Sequence, residues 1–434
     1  MIFFLKKRKW PKKVGYQHYG CTSICASTIN LPHPNRSYLA IAVSSLPMTM
    51  DDDQSLLFNR QTRRKFFDGA RRIVIKVGSA VLTSGNAMNL GVIQRLAKEI
   101  AFLQSSGREV VLVSSGAVAA GKKRNGFVHE HDLSLQEKQA LAAIGQSHLM
   151  HLYDATFSRY DQNIAQILLT HGDLASRSRY INFKNTLFTL LRMGVIPIIN
   201  ENDSVSTEEL RFGDNDTLAA LVTNLIEGDL FICLTDVDCL YTANPVTNKE
   251  AQPVFFVEKV TETIERMAGH SKSSLGTGGM QSKISAAKKV AVGGGASIIG
   301  PGKDPGVLQK MFDGDMIGTL FMPQRIKLQG RKQWIAFVLK PKGYVELDRG
   351  ACRAIREGGK SLLPSGVTAV KGHFRAGDAV QCMDDDGTII AVGLINYRTE
   401  DVVRLQGSHS HAIEAILGYK DSDVLMHRDN LVIY

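Results

Sequence analysis

The stretch GVIPIINENDSVSTEELRFGDNDTLAALVTNLI, residues 194–226, decides the fold of this chain. Gly194–Asn200 is a short apolar run, which predicts a buried parallel strand, and Thr217–Ile226 is apolar at helical spacing, which predicts a helix. Seven polar residues at the two ends of the loop between them supply four carboxylates and three amides: Asn200, Glu201, Asn202, Asp203, Asp214, Asn215 and Asp216. Because ligands of open α/β sheets bind where strands end, this loop is predicted to line a site. The alternative is a solvated turn rich in Asn and Asp.

Alternating strand and helix patterns continue on both sides of this stretch. Strand-like apolar runs cover 73–77, 109–113, 164–169, 195–200, 230–234 and 296–299, and helical spacing covers 92–103, 136–156, 180–193 and 281–292. This alternation predicts an α/β fold with an open, mainly parallel sheet and helices on both faces. Each polar or glycine-rich motif follows a strand, which is where a ligand site is expected.

The pattern changes after Pro323 to short alternating strands and turns. Strands are predicted over 343–347, 366–370, 378–383 and 388–394, and Asp386-Gly387 is a hairpin turn signal. We therefore predict four segments: an N-terminal extension over 1–66, the α/β domain over 67–325, a polar, basic linker over 326–340, and a small, mostly β domain over 341–434.

The predicted extension has the composition of a segment outside a folded domain. Residues 1–50 contain seven Lys or Arg residues and no Asp or Glu. A basic, acid-free, Ser-containing N-terminus is typical of organelle transit peptides. The alternatives, which we favour, are a disordered tail or a true start at Met48 or Met50. We expect that removing residues 1–49 leaves folding and catalysis unchanged.

Composition and charge exclude several classes of protein. The 434 residues, of which 44% are hydrophobic and 22% charged, are typical of a globular protein with two or three domains. No apolar run is long enough to predict a transmembrane helix. Seven of the ten net positive charges lie in residues 1–50, so the rest carries only +3 and gives little support for a nucleic-acid partner. The six scattered cysteines lack zinc-ligand spacing and favour a reduced, cytoplasmic protein.

Three motifs at predicted strand ends are suited to anion binding. Lys76 ends the first strand and is followed by a glycine, whose backbone can approach a phosphate. Ser115 lies in SSGAVAAG, residues 114–121, where small side chains allow close approach. In GTGGMQSK, residues 276–283, three glycines lead into a helix, so several backbone N–H groups can point at phosphate oxygens. Lys283 lies in the first turn, where a cation is unfavourable unless it shares an anion with the helix end.

Other common active sites are not indicated. The sequence has no G-x-x-x-x-G-K-[ST] Walker A loop and no G-x-S-x-G elbow for a serine nucleophile. No histidine is placed where it would activate a serine. The segment Thr235–Pro245, which follows another strand, has groups suited to a nucleotide base and ribose, although by itself it is only a turn.

Taken together and in order, six motifs resemble the amino acid kinase family. They are IVIKVGSAVLT, VSSGAVAAG, IINENDSV, FGDNDTLAALV, LTDVDCLYTANP and GTGGMQSK. Within residues 341–430, SLLPSGV, GHF, AILGY and HRD look like the PUA domain attached to some members. The chain is most similar to the members that phosphorylate the side-chain carboxylate of glutamate at the start of proline synthesis. The resemblance implies the amino acid kinase fold, ATP with Mg²⁺, L-glutamate as substrate, proline as an inhibitor, and a homo-oligomer.

The resemblance also implies roles for individual residues. The catalytic residues are implied to be Lys76 and Lys283, which stabilise the transferring phosphoryl group, and Asp216, which orients both lysines. ATP is further implied to contact Thr235, Asp236, Thr277, Gly278, Gly279, Met280, Gln281 and Ser282. Glutamate is implied to contact Ser115, Asn200, Asp203 and Asn215. No metal-ligating side chain is implied.

Two alternatives stay open at this point. Other members of the family act on aspartate, acetylglutamate, carbamate or a nucleoside monophosphate, although the PUA-like segment favours glutamate. The chain also resembles RNA-binding proteins in its PUA-like segment, but a near-neutral body without an aromatic, basic stripe argues against RNA as the main ligand. A side-chain carboxylate is already ionised at neutral pH and needs no general base, which agrees with the lack of a candidate histidine.

Overall fold

The computed structural model describes residues 60–84, 87–126, 133–206, 214–269, 279–324 and 330–434. The predicted dispensable segment over 1–49 lies outside these residues. Within the described ranges, no helix is both long enough and apolar enough to cross a membrane.

An eight-stranded, mainly parallel sheet forms the larger part of the protein. The strands of this part are β1 (Arg72–Val77), β2 (Thr83–Ser84), β3 (Ala87–Met88), β4 (Glu109–Val113), β5 (Ile164–Leu169), β6 (Ile196–Glu201), β7 (Leu230–Thr235), β8 (Leu240–Tyr241), β9 (Pro253–Val254), β10 (Phe256–Val257), β11 (Ala296–Pro301) and β12 (Thr319–Phe321). The sheet order is β10-β12-β11-β7-β1-β4-β6-β5, and the pair β11–β12 is antiparallel. The apolar strand β1 is buried along nearly its whole length, as a central parallel strand requires.

Helices connect these strands. They are α1 (Arg60–Gly69), α2 (Ser79–Leu82), α3 (Leu90–Ser105), α4 (Ala117–Arg124), α5 (Leu135–Phe157), α6 (His171–Ala175), α7 (Arg177–Arg192), α8 (Asn215–Leu225), α9 (Glu262–Met267), α10 (Met280–Val292) and α11 (Val307–Phe312). Local sequence explains their starts: Ser134 and Glu137 form a capping box at α5, and the Asp214 side chain caps α8. The α/β fold class predicted from the sequence is confirmed.

Helices α4 and α5 cross in close backbone contact next to the Ser115 motif. A Cβ atom on Gly145 of α5 would lie 1.8 Å from the carbonyl oxygen of Ala117, at the start of α4. On the facing helix, a Cβ atom on Gly121 would lie 1.9 Å from the carbonyl oxygen of Leu141. Only glycine fits at these two positions, because any larger residue would separate the helix backbones.

The C-terminal part is a second, five-stranded sheet with three helices. Its elements follow α12 (Arg331–Phe337) and are β13 (Gly343–Leu347), α13 (Arg349–Arg356), β14 (Val367–Gly372), β15 (Ala379–Met383), β16 (Ile389–Leu394), α14 (Thr399–Leu405), α15 (Ile413–Leu417) and β17 (Leu431–Ile433). The order is β14-β13-β15-β16-β17, and β13 and β15 pair in parallel. The strands predicted from the sequence are all present in this sheet.

Helix α1 begins at Arg60, before the predicted domain boundary at residue 67, and it packs on α11. Phe67 is fully buried, with its ring 5.5 Å from that of Phe312. The Arg63 guanidinium is also buried and donates from Nη2 to the carbonyl oxygen of Ile317 at 2.8 Å. The sequence analysis did not predict this packing because α1 is rich in basic residues, which are usually exposed, whereas Arg63 is buried.

Part of the predicted linker over 326–340 is helical. Residues Arg331–Phe337 form α12, and Trp334 and Ile335 are buried in it. The Trp334 indole donates to the carbonyl oxygen of Leu174 at 2.9 Å, and Ile335 belongs to an apolar cluster that includes Val392 of β16. The helix therefore joins the cores of the two parts instead of spacing them apart.

Candidate active site

The carboxyl ends of β1, β4 and β7 meet at one edge of the large sheet. In the sheet register, Lys76 of β1 stands between Val113 of β4 and Cys233 of β7. The polar motifs that follow these strands are therefore brought together, as the sequence predicts.

Asp216 bridges the two lysines at the centre of this edge. Its Oδ1 atom lies 2.5 Å from Nζ of Lys76, and its Oδ2 atom lies 3.3 Å from Nζ of Lys283. The three side chains are buried: Lys76 and Lys283 are each 6% exposed and Asp216 is 1% exposed. Residues far apart in the sequence thus form one compact charged group, with one positive charge in excess.

Two further groups hold the Asp216 carboxylate. The Ser282 hydroxyl lies 2.7 Å from Oδ2 of Asp216 and 2.8 Å from the carbonyl oxygen of Gly279. The Cys233 thiol lies 3.6 Å from Oδ1 of Asp216, within reach of a weak S–H hydrogen bond. Each carboxylate oxygen therefore faces its own lysine and its own neutral donor, and these four contacts fix the position of the Asp216 side chain.

The charges of Lys76 and Asp216 are stable at neutral pH. Burial, the largest effect, would lower the pKa of Lys76, but Asp216 together with smaller effects of Cys233 and Asp214 raises that pKa above its ordinary value. Burial would raise the pKa of Asp216, but Lys76 and Lys283 hold it well below its usual range. Burial, with a smaller effect of Asp216, raises the pKa of the Cys233 thiol to about 12. The site therefore contains a charged Lys76, an ionised Asp216 and a protonated thiol.

A cluster of amides and hydroxyls lies beside the lysines. Nδ2 of Asn215 lies 2.8 Å from Oγ of Ser115, 2.9 Å from the carbonyl oxygen of Ser114 and 3.2 Å from Oδ1 of Asn200. Nδ2 of Asn200 donates to Oε1 of Gln146 at 2.9 Å. Three of the four residues predicted to contact glutamate are thus connected, because Asn215 contacts both Ser115 and Asn200.

The remaining acidic residues of the predicted loop have different positions. The sequence analysis assigns Asn215 and Asp216 to the loop, but they form the first turn of α8. Asp214 caps that helix, accepting from the backbone N–H of Thr217 at 2.7 Å. Burial, and then the charge of Asp216, raise the pKa of Asp214. Asp203, the fourth predicted glutamate ligand, lies half-buried in the turn after β6.

The described residues predicted to bind ATP lie at the end of β7 and at the start of α10. Thr235, at the end of β7, is 4% exposed and donates from Oγ1 to Oδ1 of the exposed Asp236 at 3.0 Å. Gly279 precedes α10 without a capping side chain, so the backbone N–H groups of Met280 and Gln281 are available to an anion. Thr277 and Gly278 lie outside the described residues.

Sequence reasoning missed two polar residues at this site, Cys233 and Gln146. Cys233 lies in an apolar strand, and only the sheet register shows that its thiol faces Asp216. Gln146 lies in the middle of the long helix α5 and is buried. The available sequence signal is a polar residue at the helical spacing of the buried residues Ala142 and Leu149.

Comparison with known proteins agrees with this geometry. The model of the amino acid kinase family matches residues 71–299, and that of the PUA domain matches residues 343–417. A glutamate 5-kinase from Desulfotalea psychrophila is 57% identical over 373 residues, which are 86% of this chain and 99% of the relative. The glutamate 5-kinase of Geobacter sulfurreducens is 50% identical, covering 84% of this chain and 97% of the relative. That of Syntrophus aciditrophicus is 47% identical, covering 86% and 97%.

These relatives match along almost their whole length, and the range matched by the amino acid kinase model contains both lysines, Asp216 and the amide cluster. The chain therefore belongs to the amino acid kinase family, within its glutamate 5-kinase branch, and carries a PUA domain at its C-terminal end.

Proposed function

We propose that this protein transfers the γ-phosphoryl group of ATP to the side-chain carboxylate of L-glutamate, forming L-glutamyl 5-phosphate in the first step of proline biosynthesis. The observation that carries the proposal is the Lys76–Asp216–Lys283 bridge, which lies next to a neutral amide cluster. Phosphoryl transfer depends mainly on positioning and electrostatic stabilisation, and this arrangement supplies both.

The lysines provide the electrostatic part of the mechanism. The substrate carboxylate and the nucleotide phosphates repel each other, and Lys76 and Lys283 offset this repulsion in a buried site. Their contacts strengthen as negative charge develops on the transferring group, so they accelerate the reaction and do not merely bind the ground state. Asp216 holds both lysines in place and keeps Lys76 charged, and since it is already paired it does not act as a base.

The nucleotide and the amino acid approach from opposite sides of this bridge. We assign the nucleotide phosphates to the start of α10, with Gly279, Ser282 and Lys283, and the nucleoside to Thr235 and Asp236. Mg²⁺ bound to the phosphates would supply further charge neutralisation. The glutamate side contains Ser115, Asn200, Asp203 and Asn215, and the Asp203 carboxylate suits the substrate ammonium group.

Further parts of the proposal rest on family membership. We propose that proline competes with glutamate at the amide cluster, that the protein is a homo-oligomer, and that the kinase domain ends near residue 325 and the PUA domain begins near 341. The four described cysteines are free thiols, which agrees with a cytoplasmic location. RNA binding by the PUA domain remains a secondary hypothesis. Kinetics in which proline leaves the apparent KM for glutamate unchanged would contradict the shared site.

The substrate is tested with a panel of amino acids. Purified protein with Mg-ATP and hydroxylamine should form γ-glutamyl hydroxamate from glutamate far faster than it forms hydroxamates from aspartate or acetylglutamate. A preference for either of the other two would reject the proposed substrate while leaving the phosphoryl-transfer site intact.

A further inference from the structure

Backbone contacts determine how the Asn200 and Gln146 amides are oriented. The backbone N–H of Glu201 donates at 3.0 Å to the Asn200 amide, and because an N–H only donates, the atom that accepts is Oδ1. The other end of that amide, Nδ2, therefore faces Gln146 at 2.9 Å. A donor requires an acceptor opposite it, so Gln146 presents Oε1 to Asn200 and directs Nε2 elsewhere.

The orientation of the Asn215 amide is determined in the same way. The backbone carbonyl oxygen of Ser114 only accepts, so the atom of Asn215 that lies 2.9 Å from it is Nδ2. The Ser115 hydroxyl and Oδ1 of Asn200 lie on the same side of the amide as this nitrogen. Oδ1 of Asn215 consequently faces away from the cluster as an acceptor.

This arrangement leaves one donor and one acceptor unused. Within the part of the chain that the structure describes, neither Nε2 of Gln146 nor Oδ1 of Asn215 has a hydrogen-bond partner. Gln146 is only 9% exposed, but its Nε2 atom still contacts solvent, so this unpaired donor is accessible to a ligand.

The helix crossing explains why Gln146 is so close to the site. At Gly145 the backbone of α5 lies against the carbonyl oxygen of Ala117, two residues after Ser115. Gln146 is the next residue of α5, so its side chain enters the cluster on a rigid element instead of a loop. Such support is typical of side chains that hold a substrate in a defined position.

We propose that Gln146 contacts the amino acid substrate, donating from Nε2 to its α-carboxylate, while Oδ1 of Asn215 accepts from its ammonium group. The inference rests on the proposed function, since it takes an α-amino acid as the substrate. The unused donor and acceptor match the two charged groups on the α-carbon. Both amides are neutral, so they bind these groups without altering the charge around the side-chain carboxylate that receives the phosphoryl group.

The variant Gln146→Glu separates contact with the substrate from support of Asn200. It keeps the volume and the acceptor for Nδ2 of Asn200, but places an anionic acceptor where the α-carboxylate needs a donor. The KM for glutamate should rise about 100-fold, with the KM for ATP within about threefold of wild type. A residue that only supported Asn200 would tolerate this change. Gln136→Glu, the same change at an exposed position of α5, is the matched control.

The decisive readout is a ratio of kcat/KM values for glutamate and for its α-amide, whose side-chain carboxylate is intact. Wild type should prefer glutamate, and Gln146→Glu should lower the ratio at least about 100-fold, since the α-amide can donate to the new carboxylate. Gln146→Met, which has no polar donor, should lower it about tenfold. Both substrates are measured on one preparation, so a partly unfolded variant does not change the ratio.

An unchanged ratio in both variants would overturn the inference, even if total activity fell. Failure of the proposed function has a different signature, because wild type itself would then form little γ-glutamyl hydroxamate from glutamate.

Discussion

Nζ of Lys76 and Oδ1 of Asp216 are 2.5 Å apart in a buried ion pair, and the second oxygen of the same carboxylate lies 3.3 Å from Nζ of Lys283. One carboxylate thus organises two cations contributed by different elements, β1 and α10. Removing one partner of a buried pair leaves an uncompensated charge, so the three side chains should behave as one unit.

We expect Asp216→Asn and Lys76→Ala each to lower kcat by about 10²–10³-fold, because both reduce stabilisation of the transferring group. If Asp216 acts through the lysines, the fold-decrease in kcat of the double variant should be smaller than the product of the two single decreases. Steady-state kinetics of the four proteins measures this coupling. Lys288→Ala is the control, since Lys288 lies on α10 and pairs with Glu265 at the surface at 2.7 Å. If the decreases in kcat of the two single variants multiply in the double variant, Asp216 does not act through Lys76.

The same ion pair predicts how stability depends on pH. Asp216 has a lowered pKa in the folded protein, so its contribution is present above the unfolded value of about 4 and is lost as the pH falls through the folded pKa. Lys76 has a raised pKa, so its contribution is present below about pH 10.4 and is lost as the pH rises through the folded pKa. Urea unfolding of wild type and Asp216→Asn should give a difference that does not increase between about pH 5 and 9, and that falls where the buried, unpaired Lys76 of the variant loses its proton. A difference that increases with pH within this window would contradict these directions.

Trp334 should contribute strongly to stability, because it anchors α12 to the large domain. Its indole donates to the carbonyl oxygen of Leu174 at 2.9 Å, and the Arg177 guanidinium lies 5.2 Å from its ring centroid. Trp334→Ala should lower the free energy of unfolding by about 3–5 kcal/mol, and Trp334→Phe, which mainly loses the hydrogen bond, by about 1–2 kcal/mol. Arg331→Ala, at an exposed position of the same helix, should have little effect in the same denaturation assay.

Two truncations test where the folded kinase domain begins. Removing residues 1–49 should leave the Tm and kcat unchanged, because this basic segment has no pattern of a folded domain. Removing residues 1–69 also deletes α1 with its buried Phe67, and should lower the Tm by more than about 5 °C. Equal melting temperatures for wild type and both truncated proteins would mean that α1 is not part of the stable fold.

The sequence predicted the sheet well because its central strands are apolar and end in recognisable turns. β4 (Glu109–Val113) and β5 (Ile164–Leu169) have the predicted bounds. α1 and α12 were missed because buried aromatic residues, Phe67 and Trp334, are surrounded by basic ones. Basic composition predicts that such segments are solvated, although each of the two helices buries an aromatic residue.

The sequence predicted only part of the candidate site. The triad of Lys76, Asp216 and Lys283 came from resemblance, since nothing in their spacing of more than 200 residues brings them together. The direction of each amide in the cluster depends on backbone contacts of Ser114 and Glu201, which no sequence pattern contains. Cys233 and Gln146 were missed for the same reason: their roles follow from what they face.

The most direct test of the account follows the oxygen atoms of the side-chain carboxylate. Glutamate labelled with ¹⁸O in that carboxylate is incubated with protein, Mg-ATP and hydroxylamine, and the phosphate released by hydroxylamine is analysed by mass spectrometry. If the carboxylate attacks the γ-phosphorus, the bridging oxygen leaves with phosphate, which should carry one ¹⁸O atom for each hydroxamate formed. Unlabelled phosphate accompanying hydroxamate formation would contradict phosphoryl transfer to the glutamate carboxylate.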